Sequence, residues 1–375
     1  MTREVDERYM RLALGEARKG LGRTSPNPCV GAVIVKDEQV IGRGFHRRAG
    51  RPHAEIEAFR NATAAVAGAT MYVTLEPCNH TGKTPPCSQA LVAAGISRVV
   101  IGSTDPNPQV NGSGIRYLQE HGIEVVSGVL EEQCRELNQP FMKHITTGLP
   151  WVIMKAGVSL DGRLNYRHGR GGWITGDKSR RAAHRLRDRV DAILVGRGTV
   201  ASDNPSLTTR LAQARGRDPI RVIVDSSLSV PLSAVVYNLS SSAPTWVFCQ
   251  VGLPPQKISA FERQGIRVWQ VEKSADGLDL GEIVKILGGE GVCSLLVEGG
   301  SAIHGSFLRR RLVDYAHLFY APLFAGDGGE ALVGGYQVEK ANLAPRLSKV
   351  VRKVFGEDVL VSGKVVYPVV SGEAA

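Results

Sequence analysis

Apolar residues recur at helical spacing from Tyr9 to Lys19, which predicts a first helix ended near Gly20 and Gly22. Ser25-Pro26-Asn27-Pro28 reads as a turn, and the apolar run from Cys29 to Val35 as a strand. Lys36 to Gln39 is a hairpin turn into a second apolar run that ends at His46. Pro52 precedes a helix opening at His53, with His53 and Glu55 in its first turn. Met71 to Leu75 is a strand that delivers Glu76-Pro77-Cys78 at its C-terminal end. Ser88 to Gly95 makes a third helix just past Cys87, and Arg98 to Gly102 a further strand. Helices alternating with strands predict an open α/β sheet that binds ligands at strand C-termini and helix N-termini.

A helical stretch ends over Leu137 to His144, and Thr146 to Pro150 is rich in turn residues, so a boundary is expected near 147. The division is 1–147 and 148–375. Trp151 to Gly157 starts a new strand. Further strands are read at Ala192–Gly196, Ile220–Asp225, Thr245–Cys249 and Ser294–Glu298, and helices at Asp177–Arg189, Asp279–Leu287 and Ser301–Arg311. This half is again α/β. It becomes mixed towards its end, where Val313 to Leu323 and Val350 to Tyr367 contain runs that resemble antiparallel strands.

Composition narrows the class without changing the fold. The 375 residues suit two domains with ample cores. No apolar run approaches the roughly eighteen residues of a membrane helix, and the first residues contain no apolar signal-peptide core; a cytoplasmic protein is expected. Six cysteines in such a length form no disulfide framework, and in a reducing compartment a cluster of Cys with a nearby His reads as a metal site. The net charge of +10 divides as +2 over residues 1–147 and +8 over the rest. The basic second half points to phosphate-bearing ligands or nucleic acid, although a solvated basic surface fits the charge equally well.

The chemistry concentrates between His53 and Cys87. One imidazole and two thiolates are three soft ligands, the number a catalytic zinc takes while keeping a fourth position open. Glu55 lies close enough to handle a water's protons without being a ligand. The order His-x-Glu, then Pro-Cys and a second Cys, is that of zinc deaminases of nucleobases. Here eight residues separate Cys78 from Cys87, where the common form has about two. A structural zinc site would need a fourth protein ligand, and apart from His80 none is obvious. In the second half no G-x-G-x-x-G follows the first strand, so a Rossmann dinucleotide site is not supported. Glu298-Gly299-Gly300 and the helix after it could cradle a phosphate on backbone N–H groups, a weak signal alone.

At these residues the chain resembles a known family. His53-Ala54-Glu55, the block Thr74 to Cys87 with its long gap, Ser25-Pro26-Asn27-Pro28 and Asp105 to Val110 look like the deaminase half of the bifunctional riboflavin-biosynthesis deaminase/reductases. Lys155 to Arg163, Trp173-Ile174-Thr175, Asp203 to Arg210 and Glu298-Gly299-Gly300 look like its reductase half. The resemblance implies a cytidine-deaminase-like α/β/α domain followed by a dihydrofolate-reductase-like α/β domain. It implies one Zn2+ on His53, Cys78 and Cys87, hydrolytic deamination with Glu55 as base and then acid, and NADPH-dependent reduction of a ribosyl to a ribityl chain. Asn27, His80, Lys83, Asp105 and Asn107 would contact the phosphoribosylated pyrimidine in the first half. Lys155, Arg187, Leu207, Arg210 and Glu298 would do so in the second. Gly157, Trp173, Thr199, Asp203, Ser226 and the run Gly300, Ser301, Ala302, Ile303, His304, Gly305 and Ser306 would line the NADPH site. A homo-oligomer, dimer or tetramer, is implied, with no nucleic-acid or membrane partner.

A rival reading makes the protein an RNA-binding, base-editing deaminase, with the basic run Arg180 to Arg189 as its platform. Aromatic stacking residues are not interleaved with that run, which argues against it.

Overall fold

The computed structural model describes residues 2–79, 86–107, 112–169, 172–211, 216–275 and 277–368. The chain divides into two compact units, Met1–Gly148 and Leu149–Ala375.

The first unit contains α1 (Arg3–Ala17), β1 (Gly31–Lys36), β2 (Gln39–Phe45), α2 (Ala54–Arg60), β3 (Thr70–Leu75), α3 (Cys87–Ala93), β4 (Arg98–Ser103), α4 (Ser113–Glu120), β5 (Glu124–Ser127), α5 (Glu131–Leu137) and α6 (Gln139–Thr147). Its sheet has the order β2-β1-β3-β4-β5. β1 runs antiparallel to both of its neighbours, β2 and β3, and β3, β4 and β5 run parallel to one another. Asp37 and Glu38 take positive φ values of 48° and 61°, which closes the β1–β2 hairpin with Lys36 opposite Gln39.

Alternation along the strands builds a core on each face. Ala32, Ile34, Met71, Val73, Val99 and Ile101 pack with Ala54, Ala58, Leu91 and Leu118 of the helices. Val33, Val35, Tyr72 and Val100 pack on the other face with Tyr9, Met10, Ala13 and Leu14 of α1. Helices approach the sheet closely where it carries glycine. A Cβ on Gly44 of β2 would lie 2.3 Å from both the Ala54 carbonyl and the Ala58 nitrogen of α2. Asn138 then ties the end of α5 to the sheet, accepting from Cys29 N–H at 2.7 Å and donating to its carbonyl at 3.0 Å.

The second unit contains β6 (Trp151–Val158), α7 (Asp177–Arg187), β7 (Ala192–Gly196), α8 (Arg197–Asp203), β8 (Ile220–Val224), β9 (Thr245–Gln250), α9 (Pro255–Arg263), β10 (Arg267–Val271), the short β11 (Lys273–Ser274) and β12 (Gly277–Leu278), α10 (Leu280–Gly289), β13 (Ser294–Val297), α11 (Ser301–Arg309), β14 (Tyr315–Tyr320), β15 (Arg346–Phe355) and β16 (Asp358–Val366). Nine strands form one sheet in the order β10-β9-β8-β7-β13-β6-β14-β16-β15. It is parallel from β10 through β14; β16 alone runs the opposite way, and the edge strand β15 returns to the common direction. The mixed character expected at the end of the chain is therefore confined to the last hairpin. β14 pairs antiparallel with β16, as read, and on its other edge runs parallel to β6, which it reaches by a crossover through α11. Among the described residues no helix is long and apolar enough to cross a membrane.

Candidate functional site

His53, Cys78 and Cys87 offer ligand atoms that all lie within 4.8 Å of one another, and theirs is the one such metal-competent group among the described residues. Each comes from the end of an element. His53 is the residue before α2, in extended conformation (φ −71°, ψ 166°), and not within its first turn. Cys78 follows the C-terminus of β3, and Cys87 is itself the first residue of α3 rather than the residue before it. Helix boundaries of this kind shift by a residue because the cap shares the helix hydrogen bonds.

The separations test whether zinc fits. His53 Nδ1 lies 3.5 Å from Cys78 Sγ and 3.3 Å from Cys87 Sγ. Tetrahedral bonds of about 2.3 Å to sulfur and about 2.0 Å to nitrogen place such atoms about 3.5 Å apart. The donor set fits. Hydrogen bonding from Cys87, and then from His53, pulls the Cys78 thiol down to about 4. Cys87 is pushed up by its hydrogen bond with Cys78 and by burial. The Cys78 hydrogen bond raises His53 to about 8. A divalent cation between the three donors replaces those protons.

Glu55 lies in the first turn of α2 and is 3% exposed. Burial raises its carboxyl pKa against the opposing charge of His53, so it takes and holds a proton more readily than an exposed glutamate.

Sequence reasoning missed His46 and Glu76. His46, buried at the end of β2, stands edge-on to His53 with ring centres 5.5 Å apart. Its Nδ1 lies 3.1 Å from the Pro52 carbonyl, and its Nε2 lies 3.1 Å from Asn27 Nδ2. The carbonyl can only accept, so Nδ1 carries the proton and Asn27 donates its amide to Nε2. Asn27 is thereby oriented beside the metal ligands. Asp105 is 8% exposed and accepts from Asn107 N–H at 2.9 Å. Its own N–H donates to Glu76. His80 and Lys83 lie outside the described residues. The signal for His46 and Glu76 was their position, one at a strand end before His53 and the other directly before Pro77-Cys78.

The second unit holds a cavity of about 750 Å³ at the C-terminal ends of β6, β7 and β13, where ligands of open α/β sheets bind. Of the residues expected there, Lys155, Gly157, Trp173, Arg187, Thr199, Asp203, Leu207, Arg210 and Glu298 line it, as does the run from Gly300 to His304. Three do not. Ser226 follows β8, where its carbonyl accepts from Gln250 N–H at 3.0 Å. Gly305 faces Gly334, whose carbonyl would lie 1.8 Å from an added Cβ. Ser306 borders a second groove with Arg309 and Gly335. Thr175, Asn204, Ser206 and Glu330 line the main cavity without having been expected.

An ion triad marks its floor. Arg187 donates Nε–H to Glu298 Oε1 and Nη2–H to Oε2, both at 2.9 Å, while Lys155 Nζ lies 3.4 Å from Oε2. Burial favours the neutral carboxyl, but Arg187 and Lys155 outweigh it and hold Glu298 below the usual carboxylate range. One negative and two positive charges leave the triad net positive; Arg210 adds a further cation to the wall, and Asp203 and Glu330 add carboxylates. His184, near Arg187 and Arg210, is kept neutral by burial first and by those charges second, at about 4.

Comparison with known proteins agrees with this geometry. Residues 3–103 match the family described as cytidine and deoxycytidylate deaminase zinc-binding region, and residues 150–361 match the RibD C-terminal domain. Riboflavin biosynthesis protein RibD of Bacillus amyloliquefaciens is 42% identical over 356 residues, 95% of both chains. The Escherichia coli protein of that name is 40% identical over 367 residues, 94% of this chain and 98% of that one. A crystal structure from Thermotoga maritima, described as a diaminohydroxyphosphoribosylaminopyrimidine deaminase/5-amino-6-(5-phosphoribosylamino)uracil reductase, superposes with a TM-score of 0.85 at 37% identity, over 97% of this chain and 99% of that one. The Acinetobacter baumannii RibD structure gives 0.86 at 34%, over 97% and 100%. With zinc and NADPH as the cofactors that its two matched domains bring, the chain belongs to the RibD family of bifunctional riboflavin-biosynthesis deaminase/reductases.

Proposed function

We propose that the unit Met1–Gly148 hydrolytically deaminates 2,5-diamino-6-(5-phosphoribosylamino)pyrimidin-4-one, and that the unit Leu149–Ala375 then reduces the ribosyl group of the product to a ribityl chain. The observation that carries the first step is the three-donor cluster with buried Glu55 beside it. Zinc, when bound to His53, Cys78 and Cys87, supplies Lewis-acid activation of water near neutral pH. Glu55 takes the proton of the attacking water and returns it to the departing ammonia, a double role that its raised pKa favours. Asn27, Asp105 and Asn107, with His80 and Lys83, hold the pyrimidine and its ribose phosphate.

In the second step NADPH, when bound, supplies the hydride for ribose C1′. Gly157, Trp173, Thr199, Asp203 and the start of α11, with Ser226 beyond the cavity, hold that cofactor. Lys155, Arg187, Leu207, Arg210 and Glu298 hold the phosphoribosyl substrate. The net positive triad suits an anion, and the protein's contribution is position and charge.

The assembly expected is a homo-oligomer, a dimer or tetramer. This is favoured by the edge strand β15, which leaves Val351 41% and Val354 74% exposed. None of the six cysteines is joined in a disulfide, which suits a reducing, cytoplasmic location.

The test is Glu55→Gln. The variant should keep zinc, lose ammonia release by about 10²–10⁴-fold, and still oxidise NADPH with pre-deaminated substrate. Loss of zinc in the variant would contradict the role given to Glu55.

A further inference from the structure

Glu76 sits at the C-terminus of β3, two residues before Cys78, and is 4% exposed. Its carboxylate accepts from four backbone N–H groups: Asp105 at 3.3 Å and Gly112 at 3.1 Å on Oε2, Gly114 at 3.0 Å and Ile115 at 3.3 Å on Oε1. A carboxylate has about four acceptor sites, so these bonds occupy it and leave none for a metal or a substrate. Glu76 is therefore neither ligand nor base.

The four donors lie on both sides of residues 106–111. Gly114 and Ile115 belong to the first turn of α4, whose N-cap residue, Gly112, has no side chain to satisfy them. Glu76 supplies that cap from a distant strand, with the charge that a helix N-terminus favours. The start of α4 also packs directly against the strand end at Gly114, where an added Cβ would lie 2.1 Å from the Pro77 carbonyl.

We propose that Glu76 is a positioning residue for deamination: it clasps the segment bearing Asp105 and Asn107 against the strand end that carries Cys78. The proposal rests on the reading of the first unit as a deaminase. It separates binding from chemistry, because Glu55 lies in α2 and His53 immediately before it, and none of the clasp's four hydrogen bonds touches either.

Glu76→Gln tests it in the full-length, zinc-replete protein. Whichever way its amide is turned, an NH2 group meets two of the four N–H donors, and half the clasp is lost. Misplacing binding groups by about 1 Å costs up to about 100-fold. KM for the diaminopyrimidinone ribosyl phosphate should rise about 10-fold or more, while kcat, zinc content and reduction of pre-deaminated substrate stay near wild type. An unchanged KM, or zinc lost in step with activity, would overturn the proposal. Should the variant not fold, Gly114→Ala perturbs the same segment through Pro77 and must reproduce the KM effect, and an unchanged KM there overturns the clasp equally. Wild-type protein that releases no ammonia would instead refute the deaminase reading itself.

Discussion

Replacing Glu298 by Gln removes the one negative charge from a triad whose side chains are only 9% (Glu298), 11% (Arg187) and 15% (Lys155) exposed. Arg187 and Lys155 then remain as unneutralised cations in the cavity floor. Taking one partner from a buried ion pair costs about 3–5 kcal/mol. Gln preserves the shape and can still accept one hydrogen bond, so a loss near the lower end, about 3 kcal/mol, is expected. All four tryptophans, at 151, 173, 246 and 269, belong to the second unit. Tryptophan fluorescence during urea unfolding therefore reports this unit alone, and its midpoint should fall while ammonia release by the first unit is retained. The pH dependence has a fixed sign. Folding depresses the Glu298 pKa below its usual 4.5, so its stabilisation is fully present above that value. It is lost as pH falls towards the depressed folded value. The gap between wild type and variant should narrow on acidification below 4.5. An unfolding free energy within about 0.5 kcal/mol of wild type at neutral pH, the scatter of an ordinary surface substitution, would refute the account of the triad.

Two further outcomes are expected. Gly44→Ala pushes a methyl group into the backbone of α2 at Ala54 and Ala58 and should destabilise the first unit by about 1–3 kcal/mol; because α2 begins beside His53, zinc affinity measured by competition with a chromogenic chelator should fall with it, and unchanged affinity would argue that the helix start is not set by this contact. Stripping zinc with a chelator should abolish ammonia release yet leave NADPH oxidation on pre-deaminated substrate intact, whereas parallel loss of both would mean that the two chemistries are not carried by separate units.

Much of the architecture was legible because its strands are buried on both faces. β7 was read with its observed limits, since Ala192 to Gly196 form a continuous apolar run between polar flanks. Elements with little buried surface were not legible. β5 is half exposed along its four residues, and α8 buries only Val200 of Arg197–Asp203. The antiparallel pairing of β14 with β16 was legible, but its parallel edge against β6 depends on which strand it meets after α11, a tertiary matter that its own six residues do not carry. The metal ligands were readable from spacing because the chemistry demands particular residue types. The supports at His46 and Glu76 were not, because their partners lie at Asn27 and at Asp105 to Ile115, joined to them only by folding. The reductase cavity was reached through resemblance, because a strand, a glycine turn and a helix occur in many folds.

The central claim is most directly tested by giving zinc-replete protein the diaminopyrimidinone ribosyl phosphate together with NADPH, and following ammonia and nicotinamide absorbance in the same sample. The account predicts ammonia release first and NADPH oxidation after it, in equal final amounts, with no oxidation when deamination is blocked by Glu55→Gln. Release of neither product, or NADPH oxidation that does not wait for ammonia, would contradict it.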